Sequence, residues 1–171
     1  MNSRGVLEKD SWVTEGNKTY HLGKDGTLDK GLTDISNGIY TSTYWFDENG
    51  VLQTGFKEKD GKAYYLAEKN GRMSKDEWIY EDPDRYHAGA DGALDKGMTD
   101  ITSAGYTNTY YFDETGKMQT GFVDLNGNTY YLDSNGILEK NNWFKENNNR
   151  YHAGKDGALD KGLTDIAIGD Y

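Results

Sequence analysis

Histidine titrates near neutrality and is a common metal ligand, so His21, His87 and His152 are the first places in this 171-residue chain where chemistry could reside. All three occupy one repeated position, directly after Tyr20, Tyr86 and Tyr151, and each lies about 65 residues from the next. A metal needs several donors together, and the recurring neighbours here are Tyr, Asp and Lys. The chain has no Cys, which removes disulfides and cysteine-bound zinc or iron-sulfur sites. The spacing favours a histidine standing in for the second ring of an aromatic pair over a stacked-histidine metal or pH-sensing site. Neither a metal nor a cofactor is expected. The carboxylates Asp25, Asp29 and Asp34, with their copies Asp91, Asp95 and Asp100, could in principle flank a glycosidic bond. An active site, however, is a singular constellation, and a set that recurs with the architecture reads as turn and solvating residues. No catalytic residue is expected, so the chain is read as a non-enzyme. The alternating acidic loop that holds calcium is absent.

The aromatic residues are the more informative set. In a strand, successive side chains point to opposite faces, so Tyr110 and Phe112 share one face while Tyr111 takes the other. One ring of each pair can pack inward while its neighbour lines a groove. The candidate ligand-binding rings are Trp12, Tyr44, Trp45, Tyr64, Tyr65, Trp78, Tyr86, Tyr110, Tyr111, Tyr130, Tyr131, Trp143 and Tyr151.

The elements that must carry these rings follow from the internal repeat. Segments opening at Trp12, Trp78 and Trp143 are copies of one another, 66 and 65 residues apart, and two related units lie between successive copies. The expected units are 12–31, 32–55, 56–77, 78–97, 98–121, 122–142 and 143–162, with partial units 1–11 and 163–171 at the ends. A cycle of three such units places the chain among repeat architectures. Each unit reads as one β-hairpin: an aromatic run such as Tyr110-Tyr111-Phe112, a turn ending in Gly116, and a second run, Lys117-Met118-Gln119-Thr120. Asp25-Gly26, Asn49-Gly50, Asn70-Gly71, Asp91-Gly92, Asn135-Gly136 and Asp156-Gly157 fill the same turn slot. No stretch has the apolar spacing of a long amphipathic helix. The predicted fold is all-β, a β-solenoid of tandem β-hairpins.

Composition bounds the partners. With 35 % hydrophobic residues and a mean hydropathy of −0.94 the chain cannot build one thick core, yet 13 % aromatics argue against disorder. A thin solenoid satisfies both. The net charge of −10 disfavours nucleic acid and anionic lipid, and no apolar run approaches the 18 or so residues of a membrane span. Because it opens and closes part-way through a unit, the chain reads as a piece of a longer protein.

Asn126-Gly127-Asn128-Thr129-Tyr130-Tyr131-Leu132-Asp133-Ser134-Asn135-Gly136-Ile137-Leu138, and the segment ending Met118-Gln119-Thr120-Gly121-Phe122, resemble the cell-wall-binding repeat superfamily. That group includes choline-binding repeats, glucan-binding repeats of glucansucrases, and receptor-binding repeats of clostridial toxins. The resemblance implies a hairpin solenoid turning about a third of a revolution per unit. It also implies a secreted or cell-wall-associated protein of a Gram-positive bacterium that binds a polysaccharide or a wall teichoic or choline-type polymer. Host glycan or receptor binding, and a structural spacer role, are the alternatives. Choline-binding repeats usually place Trp before the Tyr pair. Here Thr19, Thr43, Ala63, Arg85, Thr109, Thr129 and Arg150 hold that position, which favours glucan-type recognition by ring stacking and hydroxyl bonding.

Overall fold

The computed structural model describes residues 8–161, and among these every regular element is a β-strand. Fourteen strands form seven antiparallel hairpins: β1 (Ser11–Glu15) with β2 (Lys18–Leu22), β3 (Gly31–Ser36) with β4 (Thr41–Phe46), β5 (Gly55–Lys59) with β6 (Lys62–Leu66), β7 (Glu77–Glu81) with β8 (Asp84–Ala88), β9 (Gly97–Ser103) with β10 (Tyr106–Phe112), β11 (Gly121–Leu125) with β12 (Asn128–Leu132), and β13 (Asn142–Glu146) with β14 (Asn149–Ala153). The chain divides into two compact units, one of residues 1–80 and 87–94, the other of 81–86 and 95–171. The partial repeats 1–11 and 163–171 lie largely outside the described residues.

The hairpins are not the ones the turn slot suggested. The aromatic run is the second strand of each hairpin and pairs with the residues before it: Gly97–Ser103 pairs with Tyr106–Phe112, turning at Ala104-Gly105. The predicted turn at Asp113 to Gly116 exists, with Gly116 at φ 86°, but it closes a single antiparallel bridge, Phe112↔Met118. The run after the Gly does not extend as a strand because it has two tasks. Gln119 donates its N–H to Tyr111 of its own hairpin, and Met118 donates to the carbonyl of Arg85 in the hairpin before.

This tie recurs inside each unit. In the first, Leu52 donates to Thr19, Met73 to Thr43 and Leu94 to Ala63; in the second, Leu138 donates to Thr109 and Leu159 to Thr129, each at 2.8 Å. The acceptor is always the residue just before the aromatic pair. A two-stranded hairpin alone is marginal in water, and these bonds join each hairpin to its predecessor.

The core is built at the third position of the aromatic run. Phe46 and Leu66 in the first unit, and Phe112, Leu132 and Ala153 in the second, are at most 1 % exposed. Each bridges an apolar residue beyond the Gly turn, as in Phe46↔Leu52, Leu66↔Met73 and Leu132↔Leu138. The most buried residue is therefore the one after the ring pair, which leaves most of the paired rings half-buried.

Candidate ligand-binding site

Register decides which rings meet. Trp12 stands opposite His21, Leu32 opposite Trp45, Phe56 opposite Tyr65, Met98 opposite Tyr111, Phe122 opposite Tyr131 and Trp143 opposite His152. Directly opposed residues share a sheet face, so the opening residue of each hairpin covers the second residue of its aromatic pair. The first residue of the next pair can then close a three-ring cluster from two consecutive hairpins. In the first unit Trp12 meets His21 and Tyr44 edge-on, both with centroids 4.9 Å away. In the second, Phe122 lies 4.9 Å from Tyr131 and 5.1 Å from Tyr151, while Phe144 stacks on Tyr131 at 4.4 Å and on Tyr151 at 5.4 Å.

The remaining candidate rings fall into place around these clusters. Trp12 and Trp143 are 43 % and 46 % exposed, whereas Tyr65 is buried beneath Phe56 and offers little surface. Trp45 and Tyr64 approach to 6.3 Å in the first unit, and Trp78 packs on His87 at 5.1 Å. Tyr44, Tyr86, Tyr110, Tyr111, Tyr130, Tyr131 and Tyr151 are half-buried. Burial raises the Tyr86 phenol above its ordinary value. The face of Trp143 carries the Arg150 guanidinium 4.5 Å from the ring centroid, an internal cation–π contact.

Sequence reasoning passed over three groups. Phe56 and Phe122, at the same repeat position as Trp12, are 43 % and 42 % exposed and pack against Tyr65 and Tyr131 at 4.9 Å. Asp29 and Asp160 are more than turn residues: each holds a histidine, with Nδ1 of His21 2.6 Å from Asp29 Oδ2 and Nδ1 of His152 2.6 Å from Asp160 Oδ2. Their spacing of eight residues from the histidine was the available signal. The third group is a polar relay at the position before the ring pair. Thr43 Oγ1 donates to Asp34 at 2.5 Å and accepts from Lys75 Nζ at 2.7 Å. Thr109 donates to Asp100 and accepts from Lys140 Nζ at 2.7 Å.

Two cavities adjoin these groups. One of about 390 Å³ in the second unit is lined by Asp100, Thr109, Lys140, Asn126 and Asp156 together with Tyr130, Met98, Leu125 and Leu138. It combines a ring and aliphatic side chains with a few convergent polar groups, the usual character of a small-molecule site. The other, about 780 Å³ in the first unit, is lined by His21, Asp10, Asp25, Asp29 and Asp34 with Thr27 and Thr33. Among the described residues no three His, Asp or Glu side chains converge as a metal ligand set, and no helix is long and apolar enough to cross a membrane. One phenol is strongly perturbed: Tyr131 donates to Glu146 Oε2 at 2.7 Å, and this bond, followed by burial, pushes its pKa from about 10 up to about 12.

The chain is 30 % identical over 156 residues to glucosyltransferase-S of Streptococcus mutans, a match covering 88 % of this chain and 10 % of that enzyme. Glucosyltransferase-I of Streptococcus downei is 30 % identical over 84 residues, 48 % of this chain and 5 % of that protein. Among solved structures, choline binding protein F of Streptococcus pneumoniae superposes with a TM-score of 0.74 at 27 % identity, covering 87 % of this chain and 51 % of that one. The same protein in the presence of a peptidoglycan analogue, a tetrasaccharide-pentapeptide, gives a TM-score of 0.75 at 28 % identity, covering 92 % of this chain and 48 % of that one. The chain thus spans a tenth or less of the streptococcal glucosyltransferases it matches, and about half of the choline binding protein. The sequence profile of the cell wall binding repeat, choline-binding type, matches at residues 10–28, 54–73, 105–118, 120–138 and 141–159, together more than half of the sequence. With hairpin repeats, ring clusters and profile in agreement, the chain belongs to the cell wall binding repeat family.

Proposed function

We propose that this chain is a non-catalytic module that holds its parent protein on a neutral glycan outside the cell, an extracellular α-glucan or a wall polysaccharide, through rings exposed where consecutive hairpins meet. The observation that carries this is the closed packing of the clusters. A caged quaternary ammonium needs several rings standing apart around it, each within about 6 Å. Around Trp12 and Phe122 the centroids lie 4.9 to 5.1 Å from their neighbours, in T-shaped or tilted contact, so these rings already pack on one another. The exposed outer surfaces remain, and a flat ring surface suits the apolar face of a sugar, with the adjoining Asp, Thr and Lys side chains bonding its hydroxyls. Arg150 over Trp143 further opposes a cationic ligand there.

The likeness to streptococcal glucosyltransferases and to a pneumococcal choline binding protein supports a surface or glucan-bound location. We also propose that the three-hairpin cycle continues as a β-solenoid, one revolution per cycle, with the repeat units bounded as the sequence suggests. Co-sedimentation with insoluble α-glucan and with purified Gram-positive walls tests the binding. Retention on either that resists free choline is expected. Elution by choline would make the ligand a choline-type polymer, and no retention on either would favour a spacer.

A further inference from the structure

Every tryptophan that opens a repeat is backed by a histidine: Trp12 by His21 at 4.9 Å, Trp78 by His87 at 5.1 Å and Trp143 by His152 at 4.9 Å. His21 and His152 are themselves fixed by Asp29 and Asp160 through Nδ1, both at 2.6 Å. A carboxylate can only accept, so Nδ1 carries the proton, and a neutral imidazole in that tautomer keeps Nε2 as a lone-pair acceptor. The His21 side chain is only 4 % exposed, yet it lines the 780 Å³ cavity of the first unit together with Asp25, Asp34, Thr27 and Thr33. Gly23 makes room for the arrangement, because a Cβ there would stand 3.1 Å from an Asp29 carboxylate oxygen and 3.4 Å from one of Asp25. A nearly buried polar ring, oriented by a carboxylate and bordering an open cavity rich in hydroxyls and carboxylates, is built to read a hydrogen-bonding ligand. A trimethylammonium head offers no polar hydrogen to such a nitrogen. A sugar hydroxyl does.

We propose that His21, oriented by Asp29, determines specificity in the first unit: Nε2 accepts a hydroxyl proton from a neutral hexopyranose seated in this cavity. His152 with Asp160 repeats the histidine–carboxylate pair in the second unit. His21 is the contacting residue and Asp29 a positioning residue that acts through it. The inference rests on the glycan reading above and narrows it, since it makes the histidine-containing repeats selective for hydroxylated ligands over choline-type ones.

The test uses the full chain and soluble dextran as the probe. Titration of wild type should be compared with His21→Phe/His152→Phe, which keeps ring volume and removes the nitrogens, with His21→Gln/His152→Gln, which retains a polar group, and with Asp29→Asn. Loss of a buried hydrogen bond to the ligand should weaken binding by about tenfold in the Phe double variant. The Gln variant should recover part of the affinity, and the Asp29→Asn variant should weaken binding by a smaller factor. Nitrogen-15 imidazole spectra of wild type supply a readout independent of any substitution. His21 should show one tautomer, protonated at Nδ1, its Nε2 resonance should move on saturation with dextran, and choline should leave it in place. A Phe double variant with native circular dichroism and unchanged affinity, or a His21 Nε2 resonance unmoved by saturating dextran, overturns the proposal while leaving the glycan reading intact. Wild type that binds neither dextran nor isolated wall polysaccharide overturns both.

Discussion

Threonine at the position before the ring pair shows how one residue sets local chemistry. Thr43 is buried and stands directly opposite Asp34, so its hydroxyl has a carboxylate within reach across the strands and Lys75 as a second partner. Thr43→Val keeps the shape and removes both bonds, leaving a carboxylate and an ammonium short of a partner. The expected loss is about 1–2 kcal/mol in urea unfolding; an unchanged midpoint would show the relay to be solvent-compensated. Tyr131 offers a second test. Its pKa, raised from about 10 to about 12 chiefly by donation to Glu146, means the folded state keeps a proton the unfolded chain gives up. That contribution is complete below pH 10 and fades as pH climbs toward 12. Wild type should therefore lose thermal stability across this window more steeply than Tyr131→Phe, and parallel curves would refute the assignment.

At the level of the hairpin, the glycine after the aromatic run matters more than any single ring. Gly136 has φ 82°, and a Cβ there would fall 2.5 Å from Met118 Sδ, the residue that ties this repeat to an earlier one. Gly136→Ala combines a left-handed backbone with a steric clash, and should cost about 2–3 kcal/mol or more by denaturant unfolding. The site rings predict the opposite balance. Leu132, wholly buried, should cost about 2–5 kcal/mol as Leu132→Ala, while Trp12→Ala, at 43 % exposure, should cost less than Leu132→Ala and yet weaken glycan binding more. Measuring unfolding and dextran affinity on the same two variants separates core from site. If Trp12→Ala proved the more destabilising of the two, the ring would be core.

For the molecule as a whole, charge and repetition set the behaviour. A net charge of −10 repels phosphate-rich polymers, whereas stacking on neutral sugar displaces few counterions. Dextran affinity should therefore change less than about twofold between roughly 50 and 500 mM salt, a range over which exposed charge pairs are largely screened out. Several weak sites on one chain act together, and tethering can raise avidity by about two to four orders of magnitude over a single site. Trp12→Ala or Phe122→Ala alone should weaken binding to a long glucan modestly, and the pair should weaken it much more, with larger losses on a long dextran than on a short oligosaccharide. Losses on long dextran equal to those on a short oligosaccharide would exclude joint action of the sites.

The sequence by itself determined the period, the all-β character and the Gly-marked turns, because these depend on local backbone preference and on a repeat visible at 66 and 65 residues. It also marked the Tyr-rich strands as the carriers of the candidate site. Tertiary structure decided what each position in those strands does. The residue after the ring pair, Phe46 or Leu132, became core because it bridges the apolar residue beyond the turn, and that bridge depends on which run pairs with which. The same register placed Trp12 over His21 and Phe122 over Tyr131. The eight-residue spacing marks Asp29 as a partner in sequence, but it was the fold of the chain beyond the Gly turn that brought its carboxylate to 2.6 Å from His21.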